Sequence, residues 1–138
     1  MVFHGCRWIV MGLCLLVVTL MGGGAVLGQV SGQTSPDMLA LQGRWIRTDA
    51  AYVIQLSHGQ DGTLQAAYFN PKPINVGKTE TAEQDGMVQI LVELQDVNYP
   101  GSTYVLSYDR KQDILKGIYF HPVSKQSYEV GFVRQVAK

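Results

Sequence analysis

The sequence predicts an all-β protein: an eight-stranded antiparallel up-and-down β-barrel, preceded by an N-terminal hydrophobic helix. Three observations carry that expectation. Beyond Gly43 the apolar residues recur with period two rather than 3.6. Turn-forming residues interrupt those runs at short intervals. No connection between Gly43 and Lys138 reaches the dozen residues that a parallel crossover needs, so successive strands must run antiparallel.

Met1 to Gly28 reads as an export signal. Arg7 and the α-amino group give a weakly positive start, and Trp8 to Leu20 is an uncharged apolar run of 13 residues. That length suits a signal-peptide core and falls short of the about 20 residues a bilayer span requires. Val26 and Gly28 would suit cleavage before Gln29. The alternative is an uncleaved anchor over residues 8–28, which counts Gly22, Gly23 and Gly24 as helix although glycine weakens one. Residues 29–42 then read as a linker ending in one short helical turn, with Asp37 as its cap, and residues 43–138 as the barrel domain. Without the leader, 110 residues remain, with 10 basic and 11 acidic groups and no cysteine. Disulfides, thiolate nucleophiles and cysteine-based metal sites are closed to such a domain. The whole chain balances 11 basic against 11 acidic residues, so it carries no basic footprint for nucleic acid.

Eight strands are expected: Gly43–Thr48, Tyr52–Ser57, Thr63–Phe69, Ile74–Ala82, Met87–Gln95, Thr103–Tyr108, Ile114–Phe120 and Gln126–Gln135. Gln60-Asp61-Gly62 turns the chain into the third strand. The fourth is polar. Asp85-Gly86 is the best hairpin signal, since both residues tolerate positive φ. Tyr99-Pro100-Gly101 is the next expected reversal. Alternation marks the buried face: Val88, Ile90, Val92 and Leu94 on the fifth strand, Tyr104, Leu106 and Tyr108 on the sixth, Tyr128, Val130, Phe132 and Arg134 on the last. A sheet with one greasy face and no long helix to cover it must close on itself or split into a two-sheet sandwich, and closure is the more economical.

Gly43-Arg44-Trp45 matches the G-x-W that opens the first strand of the calycins, the lipocalin-like and avidin-like barrels, and the chain resembles that group. The resemblance implies that Arg134, on the last strand, packs over Trp45 as a structural barrel base with Gly43. GRWIRTDAAYVIQLSHGQDGTLQAAY is closer to the avidin-like opening. Avidins line a biotin pocket with several tryptophans, whereas beyond the leader only Trp45 remains, which argues against biotin. The T-D-Y signature of typical lipocalins is absent. AAYFNPKPINV and DVNYPGSTY separately resemble a family of short exported bacterial proteins of uncharacterised function.

Polar residues at strand ends suggest a ligand rim above an apolar cup, formed by Tyr68, Asn70, Asn75, Asn98, Tyr99, Tyr104 and Tyr128. The reading preferred for Asn70, Asp96 and Asn98 is nonetheless that of turn residues that satisfy loop backbone, in loops stiffened by Pro71, Pro73 and Pro100. The tyrosines Tyr68, Tyr99, Tyr104, Tyr108, Tyr119 and Tyr128 either line a cavity or fill the core. His58 and His121 would need a carboxylate and convergent geometry to hold a metal, and no metal or cofactor is expected. No nucleophile elbow or phosphate loop is present, and Glu93 and Asp96 fall on opposite strand faces, so no enzyme is expected. The leading expectation is an exported binding module, periplasmic or secreted, for a small and mostly apolar ligand in an open cavity lined by Tyr68, Tyr104, Leu106 and Tyr128. The rival is a membrane-anchored accessory subunit that meets a protein partner through outward-facing Leu91, Val105, Ile118 and Val133, with membrane contact only through residues 8–28.

Intact-mass measurement of the natively expressed protein should find an N-terminus at Gln29. Retention of Met1 would favour the anchored subunit.

Overall fold

The computed structural model describes residues 35–136; the leader assigned to residues 1–28 lies outside them. Among the described residues, one short helix, α1 (Pro36–Ala40), precedes nine strands: β1 (Gly43–Arg47), β2 (Val53–His58), β3 (Leu64–Asn70), β4 (Lys72–Ile74), β5 (Val76–Gln84), β6 (Met87–Asp96), β7 (Tyr99–Asp109), β8 (Ile114–His121) and β9 (Gln126–Arg134). All strand pairs are antiparallel, in the order β4-β3-β2-β1-β9-β8-β7-β6-β5. The pairing of β1 with β9 wraps the meander into a nearly closed barrel, a shape compatible with a calycin-like fold. The terminal strands β4 and β5 are not paired with each other.

Nine strands replace the eight expected, because the run Ile74–Ala82 is not one strand. Pro71 and Pro73 lack amide donors, and the short β4 stays on β3 through Asn70↔Lys72, Phe69↔Pro73 and Tyr68↔Ile74. At Asn75 the chain changes partner. The Asn75 carbonyl accepts from the Gln95 amide at 2.8 Å, and Val76 then pairs with Leu94 on β6. An Asp96 carboxylate oxygen takes the Asn75 amide at 3.0 Å, which fixes the corner.

Two local expectations also shift. The reversal expected at Tyr99-Pro100-Gly101 falls instead at Val97 and Asn98, and those three residues begin β7. Gln95 pairs with Pro100 while Leu94 pairs with Ser102, so Gly101 is the extra residue of a bulge, at φ 85°. Only glycine holds that conformation without strain. The cap of α1 is Ser35 rather than Asp37, its hydroxyl accepting from the Met38 amide at 3.3 Å. The Asp85-Gly86 hairpin does adopt positive φ at both residues.

Period-two alternation builds the core. Val88, Ile90, Val92 and Leu94 on β6 interleave with Tyr104, Leu106 and Tyr108 on β7, Leu115 on β8 and Val130 and Phe132 on β9, all buried. Ile54 and Leu56 on β2 and Leu64 and Tyr68 on β3 cover the other side. Side chains therefore fill the lower and middle barrel.

The base is organised by Trp45 and Arg134, which are register partners across the closing pair. The Arg134 guanidinium, itself partly exposed, lies 4.3 Å over the wholly buried indole in a cation–π contact. Its donors reach the Ala40 carbonyl at 2.6 Å and the Gln42 carbonyl at 2.8 Å, satisfying backbone groups at the end of α1. They also grip Asp113 of the β7–β8 loop at 2.7 and 2.8 Å. The indole N–H donates to the Leu41 carbonyl at 2.9 Å, and Tyr108 meets the indole edge-on with centroids 5.9 Å apart. Gly43 has φ 142°, and a side chain there would come within 2.8 Å of an Arg134 nitrogen. Conformation and space both require glycine at that point.

Trp45→Ala should cost about 3–5 kcal/mol in urea unfolding, as for other buried aromatics. A loss below about 1 kcal/mol would mean that the base does not anchor the fold. The Arg134 hydrogen bond holds the Asp113 carboxyl below the usual carboxylate range, against the opposing effect of burial. A depressed native pKa contributes stability in full above the unfolded value of about 3.9 and loses it as pH falls below that toward the native value. Asp113→Asn should therefore flatten the acid limb of stability below about pH 4, read by thermal unfolding across pH.

Candidate functional site

The alternation that fills the core also places the last inward residue of each strand at the opposite end from Arg134. Arg47 on β1, Tyr68 on β3, Tyr104 on β7, Tyr119 and His121 on β8 and Tyr128 on β9 reach that end, joined by Tyr52 from the β1–β2 loop and Tyr99 at the start of β7. They line a cup of about 500 Å³. It stops above Leu106, which is buried in the packed core beneath rather than exposed in the cavity as expected.

The cup is a run of aromatic rings. Tyr119 stacks on Tyr128 with centroids 6.3 Å apart at 26°, and Tyr104 lies 4.6 Å from Tyr119 at 33°. Tyr68 is 5.6 Å from Tyr104, with Tyr52 at 6.3 Å and Tyr99 at 6.1 Å on its other sides. Such spacings are those of attractive tilted and edge contacts. The Tyr68 and Tyr104 hydroxyls hydrogen-bond to each other at 3.0 Å in the floor. Burial pushes Tyr104 up to about 12, with the Tyr68 hydrogen bond and the Arg47 charge working the other way. Burial also raises Tyr68 and Tyr119. These phenols stay neutral near neutral pH and offer hydroxyl groups, not charges.

Arg47 supplies the charge. It lies on the inner face of β1, its side chain 11% exposed, with the guanidinium 5.4 Å from the centre of the Tyr52 ring. Asp49 takes Nε at 2.6 Å and Nη2 at 3.0 Å in a two-pronged pair. Nη1 is left as a donor toward a ligand or toward the Tyr104 hydroxyl, whose ionisation Arg47 favours. Burial opposes the arginine charge, but the Asp49 hydrogen bond and Tyr104 outweigh it, so its pKa is raised. The Arg47 hydrogen bond in turn holds Asp49 below the usual range. The fork thus fixes one guanidinium in place over the cup.

Among the residues expected at the rim, Tyr68, Asn98, Tyr99, Tyr104 and Tyr128 line this cup. Asn70 stands behind it, donating its side-chain amide to the Tyr99 hydroxyl. Asn75 serves the β4–β5 corner through its backbone. Tyr108 belongs to the base, its hydroxyl donating to Asp113 at 3.0 Å. His58 ends β2 at the base end and His121 ends β8 at the mouth, so the two histidines do not converge. The His121 ring accepts the Ser124 amide at 3.2 Å and so closes its own turn while facing the cup. Arg47, Asp49 and Tyr52 complete the cup and do not follow from strand-end polarity alone. The signal for them is topological: in a meander every second connection returns to the same end, which groups the β1–β2 loop with those after β3, β6 and β8.

Compared with protein-family models, with curated proteins and with solved structures, the chain matches none.

In the folded protein, phenolate absorbance should place Tyr104 near about 12 and Tyr68 well above an ordinary phenol. Both titrating near the unperturbed value of about 10 would put the floor of the cup in contact with water.

Proposed function

We propose that this chain is an exported binding module that holds a small, flat, largely apolar ligand in the tyrosine-lined mouth of its barrel. One observation carries the reading: six tyrosine rings and one braced guanidinium converge on a concavity of about 500 Å³ above a filled core. That volume lies within the range typical of small-molecule clefts. Ring faces favour a planar aromatic or conjugated body, and the neutral hydroxyls and Arg47 favour a hydrogen-bonding or anionic edge. Binding is preferred over catalysis because the buried phenols hold their protons, Arg47 is tied to Asp49, and the His121 imidazole that faces the cup has its Nδ1 engaged by the Ser124 amide.

A second reading, an accessory subunit docking through the barrel exterior, draws on one surface feature. Leu91, Val105 and Ile118 are register partners on adjacent strands and face outward, and Val105 and Ile118 are exposed. Single exposed apolar residues are ordinary, and this row is short.

Protein-observed NMR with a set of flat aromatic acids should shift the ring signals of Tyr52, Tyr119 and Tyr128. Tyr128→Ala, at a partly exposed position whose loss spares the fold, should weaken the best of them by about tenfold, the equivalent of one aromatic contact. Shifts confined to Val105 and Ile118 would overturn the mouth and support the exterior.

A further inference from the structure

The hydrogen-bonding groups of the tyrosine cup do not balance, because its strongest acceptors are already used from within the protein. The Asp49 carboxylate takes Nε and Nη2 of Arg47 at 2.6 and 3.0 Å, the Tyr99 oxygen accepts the side-chain amide of Asn70, and Nδ1 of His121 accepts the Ser124 amide at 3.2 Å. Each of these bonds leaves a donor over. Arg47 keeps the two protons of Nη1, one of which can serve Tyr104. Tyr99, accepting from Asn70, keeps its own hydroxyl proton. His121, with Nδ1 unprotonated, carries its proton on Nε2. All three donors line the cup, from β1, β7 and β8. Tyr52, Tyr119 and Asn98 can donate or accept, and Tyr128 spends its proton on Gln126 at the exposed rim.

The charges do not balance in space either. The Arg47 side chain is 11% exposed and that of Asp49 60%. Water screens the carboxylate on its outer side, while the guanidinium faces the low-dielectric cup, so a group bound there feels the cation more than its counterion. Among the described residues that line the cup, none but Asp49 is acidic.

We infer that the ligand is a planar aromatic or conjugated carboxylate, bound as its anion with the carboxylate end toward Arg47, and that a molecule of the same shape carrying an ammonium group is refused. The inference rests on the mouth as the binding site and adds the polarity of what fills it. Arg47 meets a carboxylate oxygen through Nη1, Tyr99 and His121 offer donors to the remaining acceptors, and the rings pack on the flat body. An amine finds the acceptors it needs already taken, so its desolvation is uncompensated, and it meets the Arg47 charge as well. Asn70 and Ser124 are positioning residues: neither lines the cup, and each fixes which proton its neighbour presents.

The test titrates the full chain with three probes of one shape, naphthoate, its methyl ester and naphthylmethylammonium, by calorimetry, with the NMR ring signals of Tyr52, Tyr119 and Tyr128 recording where each binds. Naphthoate should bind at least about tenfold tighter than the ester and about a hundredfold tighter than the ammonium probe. Arg47→Gln should bring naphthoate down to the level of the ester. Tyr99→Phe keeps the ring and every charge; it should weaken naphthoate about tenfold through one lost charge-assisted hydrogen bond, and it carries the test alone if Arg47→Gln does not fold. Asn70→Asp, of the same shape, draws the Tyr99 proton away from the cup and should weaken naphthoate more than Asn70→Ala, whereas in the Tyr99→Phe background the two should be equal. Equal binding of the three probes at the mouth, a preference for the ammonium probe, or a naphthoate preference that survives both Arg47→Gln and Tyr99→Phe would overturn the inference and leave the mouth standing as the binding site. Probes that shift none of the three tyrosines would overturn the mouth and the inference with it.

Discussion

Closure of this barrel depends on the stack of Arg134 over Trp45. β1 and β9 share only three register pairs, Trp45↔Arg134, Ile46↔Val133 and Arg47↔Phe132, far fewer than the ladder between β6 and β7. That short ladder joins parts of the chain about ninety residues apart, so its loop-closure entropy must be offset by strong local contacts. One guanidinium supplies them at once. It covers the indole, takes two carbonyls near the end of α1 and binds Asp113, tying helix, first strand, last strand and the β7–β8 loop at one point. A lysine in its place has no planar fork to serve those partners together.

The same constraint explains how the two ends of the barrel differ. At the base, one planar cation covers a wholly buried indole while keeping part of its own surface in water. At the mouth the inward positions belong to tyrosines and Arg47, whose rings stand beside one another rather than across the opening. Each phenol has an apolar body that packs on the core and a hydroxyl that needs a partner, so the layer is apolar below and polar above. Asp49 is the counterweight to Arg47, as Asp113 is to Arg134. In both cases an inward-facing arginine near a strand end is held by an aspartate from an adjoining loop.

How much of this the sequence discloses depends on the range of the forces involved. Alternation is local, so Val88 to Leu94 and Tyr104 to Tyr108 announce their buried face directly, and Asp85-Gly86 announces its turn. The change of partner at Asn75 is not local. It requires that Gln95 and Asp96 come to meet the Asn75 backbone from 20 residues away, and the flanking prolines signal an irregularity without saying which ladder each side joins. Gly101 misleads for a related reason: a proline-glycine pair serves a reversal or a bulge, and only register with β6 decides between them. At the site, Tyr68, Tyr99, Tyr104 and Tyr128 are legible as strand-end aromatics. Arg47 and Asp49 are visible only after the connections are counted around the meander.

The polarity of the fourth expected strand has a consequence in three dimensions. Thr79, Thr81 and Glu83 occupy the inward positions of β5, where a closed barrel would carry valine or leucine. Burying them against β3 would strip water from a carboxylate and two hydroxyls without partners for them, and that desolvation exceeds what the extra ladder bonds return. The lower half of β5 therefore forms no ladder with β3, and Leu64, Val88 and Ile90 are kept from water by the side chains packed around them rather than by a strand laid over them. Were the three replaced by β-branched apolar residues, the penalty would vanish and β5 would close on β3. The missing ladder between β3 and β5 is thus encoded by the side-chain chemistry of one strand, β5.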